Sequence, residues 1–234
     1  MLFSTAMLRN VSMSVFIFTG LIHDASAEIL PSSSAVLIES GKQESTIDIK
    51  NNGDKSVLLY SKIRRLPDDN LAGGTLYTEP QAIVIGPGDI QSIRVIYRTN
   101  TPDVKEHIAR VVFTGLPPKD EVSDGKVKIL IGQDLPVVVN VRKDIEQKDM
   151  WQRVQYQLVR GDLCISNPSA KVFRFSPLVN TDEGGSKITF TKPYVLPQET
   201  LCATPSHPLS KGMHLSITSV SDYNYELKTN KVTL

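Results

Sequence analysis

Much of what this sequence says first, it says by omission. An excess of one charge is missing: 26 Lys and Arg stand against 25 Asp and Glu, a formal net charge of +1. A general nucleic-acid binder needs a basic excess to displace counterions, so that class is set aside. Helical periodicity is missing too, with no convincing run before Lys143. GxSxG, HExxH and a glycine-rich phosphate loop ahead of a helix do not occur. Of the four histidines, His107, His207 and His214 lie beyond the N-terminal segment, and none is spaced with carboxylates as a metal site requires. His207 sits in Ser-His-Pro and reads as a loop residue. Asp68-Asp69 and Asp182-Glu183 fall in turn-rich segments and read as solvated loop carboxylates, not as the converging pair of a glycosidase. No enzyme activity, metal or cofactor is expected.

Long apolar runs are scarce as well, and the one present is N-terminal. MLFSTAMLRNVSMSVFIFTGLIHDASA places Arg9 ahead of an apolar stretch over 11–22, too short to span a bilayer. Ala25-Ser26-Ala27 fits a small-x-small cleavage site. Residues 1–27 therefore read as a signal peptide, with the exported chain beginning at Glu28 and carrying no membrane anchor. Export decides how the two cysteines read. In an oxidising compartment Cys164 and Cys202 are expected to form a disulfide. Such a bridge stabilises by roughly 4 kcal/mol on the loop-entropy account. No CxxC or His–Cys spacing supports zinc or a reactive thiol instead.

What is abundant is a period of two. TIDIKNN, SVLLYSKI, QAIVI, SIRVIYR, IARVVF, VKILI and VVVNV read as strands, separated by turns such as Asn52-Gly53-Asp54 and Gly86-Pro87-Gly88. About seven strands in about 115 residues suggest an immunoglobulin-like sandwich over 28–143. KDIEQKDM is charged and reads as a linker over 144–150. WQRVQYQLV, LCIS, VFRFSPLV, KITFT, HLSIT and YELKTNKVTL then predict a second, smaller sandwich over 151–234. The fold class is all-β, with two immunoglobulin-like domains.

KVKILIGQDLPVVVNV, residues 126–141, is the stretch that asks for a function. Val127, Ile129 and Ile131 share one face of an extended chain, while Lys128 and Leu130 share the other. Pro136 lacks an N–H and suits an edge or a bulge. An apolar edge is ordinarily a hazard, because its unpaired backbone groups template association. In an exported protein it suggests donation of a strand to a client. On periodicity alone, a strand buried in a closed core fits as well.

Several stretches, in order, resemble the periplasmic chaperones of the chaperone–usher pilus pathway. AVLIESGKQESTIDIKNNGDKSVLL resembles their first two strands. YTEPQAIVIGPGDIQSIRVIYR resembles their proline–glycine segment, met at Pro80, Ile85, Pro87, Gly88, Ile93 and Arg94. ARVVFTGLPP, CISNPSAKVFRFSPL and SVSDYNY resemble later landmarks of both domains. The resemblance covers nearly the whole exported chain and implies two domains set in an L. It implies a protein that lends the last strand of its first domain to an incomplete pilin subunit and hands it to an outer-membrane usher. Val127, Ile129 and Ile131 are then the client-binding side chains.

The best-known branch of that family anchors the client's terminal carboxylate with an arginine and a lysine. The corresponding positions here are Ser34 and Val138. Ala109-Arg110-Val111 and Leu135-Pro136-Val137-Val138-Val139 instead resemble the archaic and alternative branches, which makes Arg110 the candidate anchor. A plain surface pairing of Arg110 with Glu106 or Asp134 is the competing reading. Arg94 and Lys128 are candidates for a second anchor. Arg142 and Asp222 resemble the family's interdomain ion pair. The free protein could cap its own edge by forming a homodimer. A secreted tandem immunoglobulin-like protein that recognises ligands through its loops is the alternative to a chaperone.

Overall fold

Alternation of apolar and polar residues is what builds the first domain. In β3 (Glu44–Asn51) Ile47 and Ile49 point inward while Asp48 and Lys50 face water, and in β4 (Val57–Arg65) Val57 and Leu59 do the same. The computed structural model describes residues 29–101, 103–118, 130–182 and 185–234. Within it β1 (Ile29–Pro31), β3, β5 (Thr75–Glu79) and β7 (Ile90–Arg98) form one sheet in the order β1-β3-β7-β5. The facing sheet has the order β2-β9-β8-β4-β6, with β2 (Val36–Glu39), β6 (Ala82–Ile85), β8 (His107–Leu116) and β9 (Gly132–Val141). Ile38, Leu59, Ile93, Val111, Phe113, Val137 and Val139 fill the space between the two layers. The described residues give this sandwich nine strands; the short β1 and β5 lie outside the segments expected as strands.

Two sheets also make the second domain. β10 (Gln155–Val159), β11 (Asp162–Ser166) and β16 (Thr200–Ala203) form one. β14 (Lys187–Thr189), β13 (Leu178–Thr181), β17 (His214–Val220) and β18 (Glu226–Thr233) form the other. The short pair β12 (Phe173–Arg174) and β15 (Tyr194–Val195) lies beside them. Phe173 stacks on Phe175, and Phe190 meets Phe175 edge-on, both at 5.2 Å between ring centres. The expected disulfide is formed: Cys164 and Cys202 are direct cross-strand neighbours on β11 and β16.

The stretch 144–150, expected as a linker, has more structure than that. Gln147–Gln152 is a short 3-10 helix whose Met150 is fully buried, with Ile145 and Trp151 packed on the same second-domain core. Val154 joins them, so the second domain closes around the incoming chain. A separate apolar contact joins the domains, with Leu66 and Ile108 of the first against Val172, Tyr194 and Leu196 of the second.

Candidate functional site

The margin of β9 is the first component of the site. β9 pairs with β8 from Gly132 opposite Thr114 to Val139 opposite His107. On its other side β2 joins in parallel only from Val137 onward, where Val36 faces it. Among the described residues nothing pairs with the outer margin of Gly132–Leu135. Pro136 stands one residue before β2 joins, where a missing N–H costs no ladder bond. Beyond that point Val137, Val138 and Val139 are buried. The strand thus has two halves, one sealed and one open. Just ahead of the open half, Leu130 and Ile131 are exposed. Val127, Lys128 and Ile129 lie outside the described residues.

Arg110 is the second component. Its neighbours across the sheet are Arg64 on β4 and Pro136 on β9. Its Nε donates to Asp134 Oδ1 at 2.7 Å and its terminal amine to the Asp134 carbonyl at 2.7 Å, while Arg64 donates to Asp134 Oδ2 at 2.6 Å. Arg110 therefore has the partner that the plain surface reading named. It also lines a cavity of about 250 Å³ between the domains, with Arg64, Leu66, Ile108, Arg174, Tyr194 and Asn224. Asp134 lies on the open half of β9, so Arg110 and that margin are tied through one carboxylate.

The other expected site residues fall elsewhere. Arg94 sits on β7, in the opposite layer, exposed and held by Glu44 at 2.6 Å and Glu79 at 2.9 Å. It is not brought to Arg110. The expected pair of Arg142 with Asp222 is replaced by another arrangement. Arg142 holds Asp144 at 2.7 Å, and Asp222 accepts from Lys171 Nζ at 3.4 Å. Lys171 stands between them, donating also to the Arg142 carbonyl at 3.2 Å and to Glu106 Oε1 at 3.1 Å. The Lys171 and Glu106 side chains are both 0% exposed. Glu106 further accepts the backbone N–H groups of Arg142 and Val172, at 2.8 and 2.9 Å. Burial pushes its carboxyl up, against the pull of Lys171 and the two amides.

Of the two carboxylates expected to be solvated, Asp69 is not, and Asp68, though exposed, has partners in the second domain. Asp69 is buried, accepting from Leu71 N at 2.8 Å and Ile108 N at 2.7 Å, with His107 Nδ1 at 2.8 Å. Asp68 crosses to the second domain, where it meets Lys192 and accepts from the Tyr194 hydroxyl at 2.9 Å. The turn geometry of Leu-Pro-Asp-Asp-Asn hides this, because the fold, not the turn, supplies the partners. His107 has a carboxylate on each ring nitrogen, Asp103 Oδ2 lying 3.0 Å from Nε2. Burial pulls its pKa down, but the two carboxylates outweigh burial and raise it. Among the described residues no cluster of three or more metal-ligating side chains occurs.

A larger hollow of about 650 Å³ lies on the β2 flank, lined in part by Leu37, Glu39, Arg142, Lys143 and Tyr223. Its charges are matched locally, Lys143 to Glu39 at 2.6 Å and Arg142 to Asp144. Arg174, missed in the sequence, carried the same signal as Arg110: a guanidinium set among Val172, Phe173 and Phe175.

Residues 28–140 match the family described as pili and flagellar-assembly chaperone, PapD N-terminal domain. The uncharacterised fimbrial chaperone YhcA of Escherichia coli K12 is 32% identical over 191 residues, 82% of this chain and 84% of that protein. The SafB chaperone of Salmonella enterica, solved in complex with the SafA pilin, superposes with a TM-score of 0.70 at 16% identity, covering 89% of this chain and 97% of that one. The Acinetobacter baumannii CsuC–CsuE chaperone–tip subunit complex, from archaic chaperone–usher Csu pili, gives 0.57 at 18% identity over 88% and 97%. With nearly the whole of YhcA matched at that identity, the chain belongs to the PapD-like family of periplasmic fimbrial-assembly chaperones, which work by binding and not by catalysis.

Proposed function

We propose that this chaperone holds a pilin subunit by lending it the open half of β9 and by anchoring the subunit's terminal carboxylate at Arg110. The observation that carries the reading is the two-part strand: Val137–Val139 paired on both sides, Gly132–Leu135 paired on one. Each aliphatic side chain buried in a client groove contributes ~1.5–3 kcal/mol before ordering costs, and new ladder hydrogen bonds fix the register. No nucleotide or catalytic step is needed to hold a client this way. Delivery to an outer-membrane usher follows from the same scheme, since an exposed subunit must pass from a temporary strand to a permanent one.

The archaic or alternative branch fits best. Val138, at the position where the best-known branch carries lysine, is buried, and Ser34, at its arginine position, donates to the Tyr223 carbonyl. Neither can offer a charge-assisted fork to a carboxylate. Arg110, directly across from Pro136, can. Without a client, pairing of two open margins in a homodimer would cover the same surface.

Co-expression with a pilin-like subunit and capture of the chaperone tests this. Wild type should recover the subunit; Ile131→Asp and Arg110→Ala should lose most of it while keeping the wild-type melting temperature. Full recovery by both variants would overturn the reading.

A further inference from the structure

Gln133 is the polar member of an otherwise aliphatic row. Side chains at every second position of an extended chain share a face, and the sequence continues the row of Val127, Ile129 and Ile131 through Gln133, Leu135, Val137 and Val139. The described part of β9 keeps this phase. Leu135 packs against the first-domain core, and Val137 and Val139 lie within it. Asp134 points the other way, to Arg64 and Arg110. Gln133 therefore stands on the core-facing side, directly across from the fully buried Phe113 of β8. It is half-buried there, and among the described residues its side-chain amide has no hydrogen-bond partner.

An amide on the inner face of a sandwich is destabilising when nothing bonds to it, because its hydration is lost without replacement. Here the margin of β9 from Gly132 to Leu135 is paired on one side only, which leaves the amide within reach of water. A client strand laid along that margin takes the water away. The amide then needs a partner in the client, or the complex is weakened by an unpaired polar group. Ile131 and Leu135, on either side, make no such demand, since any apolar pocket of the right size accepts them.

We infer that Gln133 is a specificity-determining residue of the donated strand: it selects clients whose groove presents a neutral hydrogen-bonding group, such as a hydroxyl or a free main-chain carbonyl, at one position of an apolar channel. This rests on the donor-strand reading above. The same residue fixes register. Sliding the strand by two residues would put the amide into an aliphatic pocket and set the client's polar group against Ile131 or Leu135. A single Asn on the apolar seam of a coiled coil acts in this way, lowering stability while admitting one alignment. A mismatched client leaves polar groups on both sides unpaired, and discrimination follows from that loss. The competing reading is a polar guard that merely keeps an open edge from self-association.

The test uses the chaperone co-expressed with a pilin subunit and follows two quantities. The first is the Gln133 side-chain NH2 signal in nuclear magnetic resonance. On going from free chaperone to complex it should shift, and its exchange with water should slow at least tenfold. The second is the rate at which excess unlabelled wild-type chaperone displaces labelled chaperone from the subunit. Gln133→Met, close in shape but without the amide, should be displaced roughly tenfold faster than wild type, the scale of one unpaired buried polar group. The wild-type signal needs no variant, so it decides the matter where Gln133→Met self-associates. An NH2 group that exchanges as it does in the free protein, or Gln133→Met held as long as wild type, overturns the assignment. Loss of the subunit in Ile131→Asp, with Gln133→Met held like wild type, removes the selective role and leaves strand donation standing. No retention by wild type, or equal retention by Ile131→Asp, removes strand donation and the role of Gln133 with it.

Discussion

His107 shows how much a single side chain's role depends on what the fold sets around it. With Asp69 on one nitrogen and Asp103 on the other, the native state holds a proton that the unfolded chain releases near the ordinary histidine value of 6.5. Its share of stability is therefore complete below that value and is lost as pH climbs through the higher folded pKa. Melting temperature of the wild type should fall as pH rises above 6.5, and His107→Gln should flatten that fall. Equal slopes would place the pH dependence elsewhere. The sequence showed His107 as an isolated histidine, because Asp69 lies 38 residues away and only the packing of the turn after β4 brings it close. Arg110 was legible, since a guanidinium on an otherwise apolar strand is conspicuous wherever the strand ends up. Arg174 was equally conspicuous but gave no hint that it would meet Arg110 across a domain boundary.

Among the elements, β9 is the one on which the proposed function rests, through a contrast between its halves. Val137–Val139 have β2 on one side and β8 on the other; a bulge at Asn140, which adopts φ +59°, follows, and Val141 pairs with β2 alone. The Asn140 amide donates to the carbonyls of Asp103 and Lys105, both at 3.2 Å, and so fastens the bulge to the preceding loop. Gly132–Leu135 have β8 alone. Amide hydrogen exchange should be faster over 132–135 than over 137–141, and a bound pilin subunit should slow the first group while leaving the second unchanged. Uniform protection of the whole strand in the free protein would show its margin already covered. Alternation in the sequence identified the strand, and Pro136 marked its special point. Where β2 begins to pair was not legible, because parallel pairing of two distant segments leaves no local pattern.

At the scale of the molecule, the domains are joined by a small apolar contact and by buried charge. Lys171 and Glu106 are inaccessible to water, and Lys171 also reaches Asp222. Removing one member of such a pair costs ~3–5 kcal/mol, whereas replacing both is far milder. Lys171→Met should therefore lower stability by about that amount and separate the unfolding of the two domains in calorimetry. Glu106→Gln with Lys171→Met should recover most of the loss. A single variant as stable as the wild type would deny the pair this role.

Local alternation, turn residues and an even pair of cysteines in an exported chain were enough to determine two β-sandwiches, a disulfide and an aliphatic final strand in the first domain. These depend on interactions between near neighbours, or on burial that each strand signals by its own pattern. Tertiary structure alone decided which charges meet. It set Lys171 between Arg142 and Asp222, buried Asp69 against His107, and gathered Arg64, Arg110 and Arg174 round one cavity. Coulomb attraction has no sequence period, so the partners of a charge are chosen by the geometry that brings distant strands together.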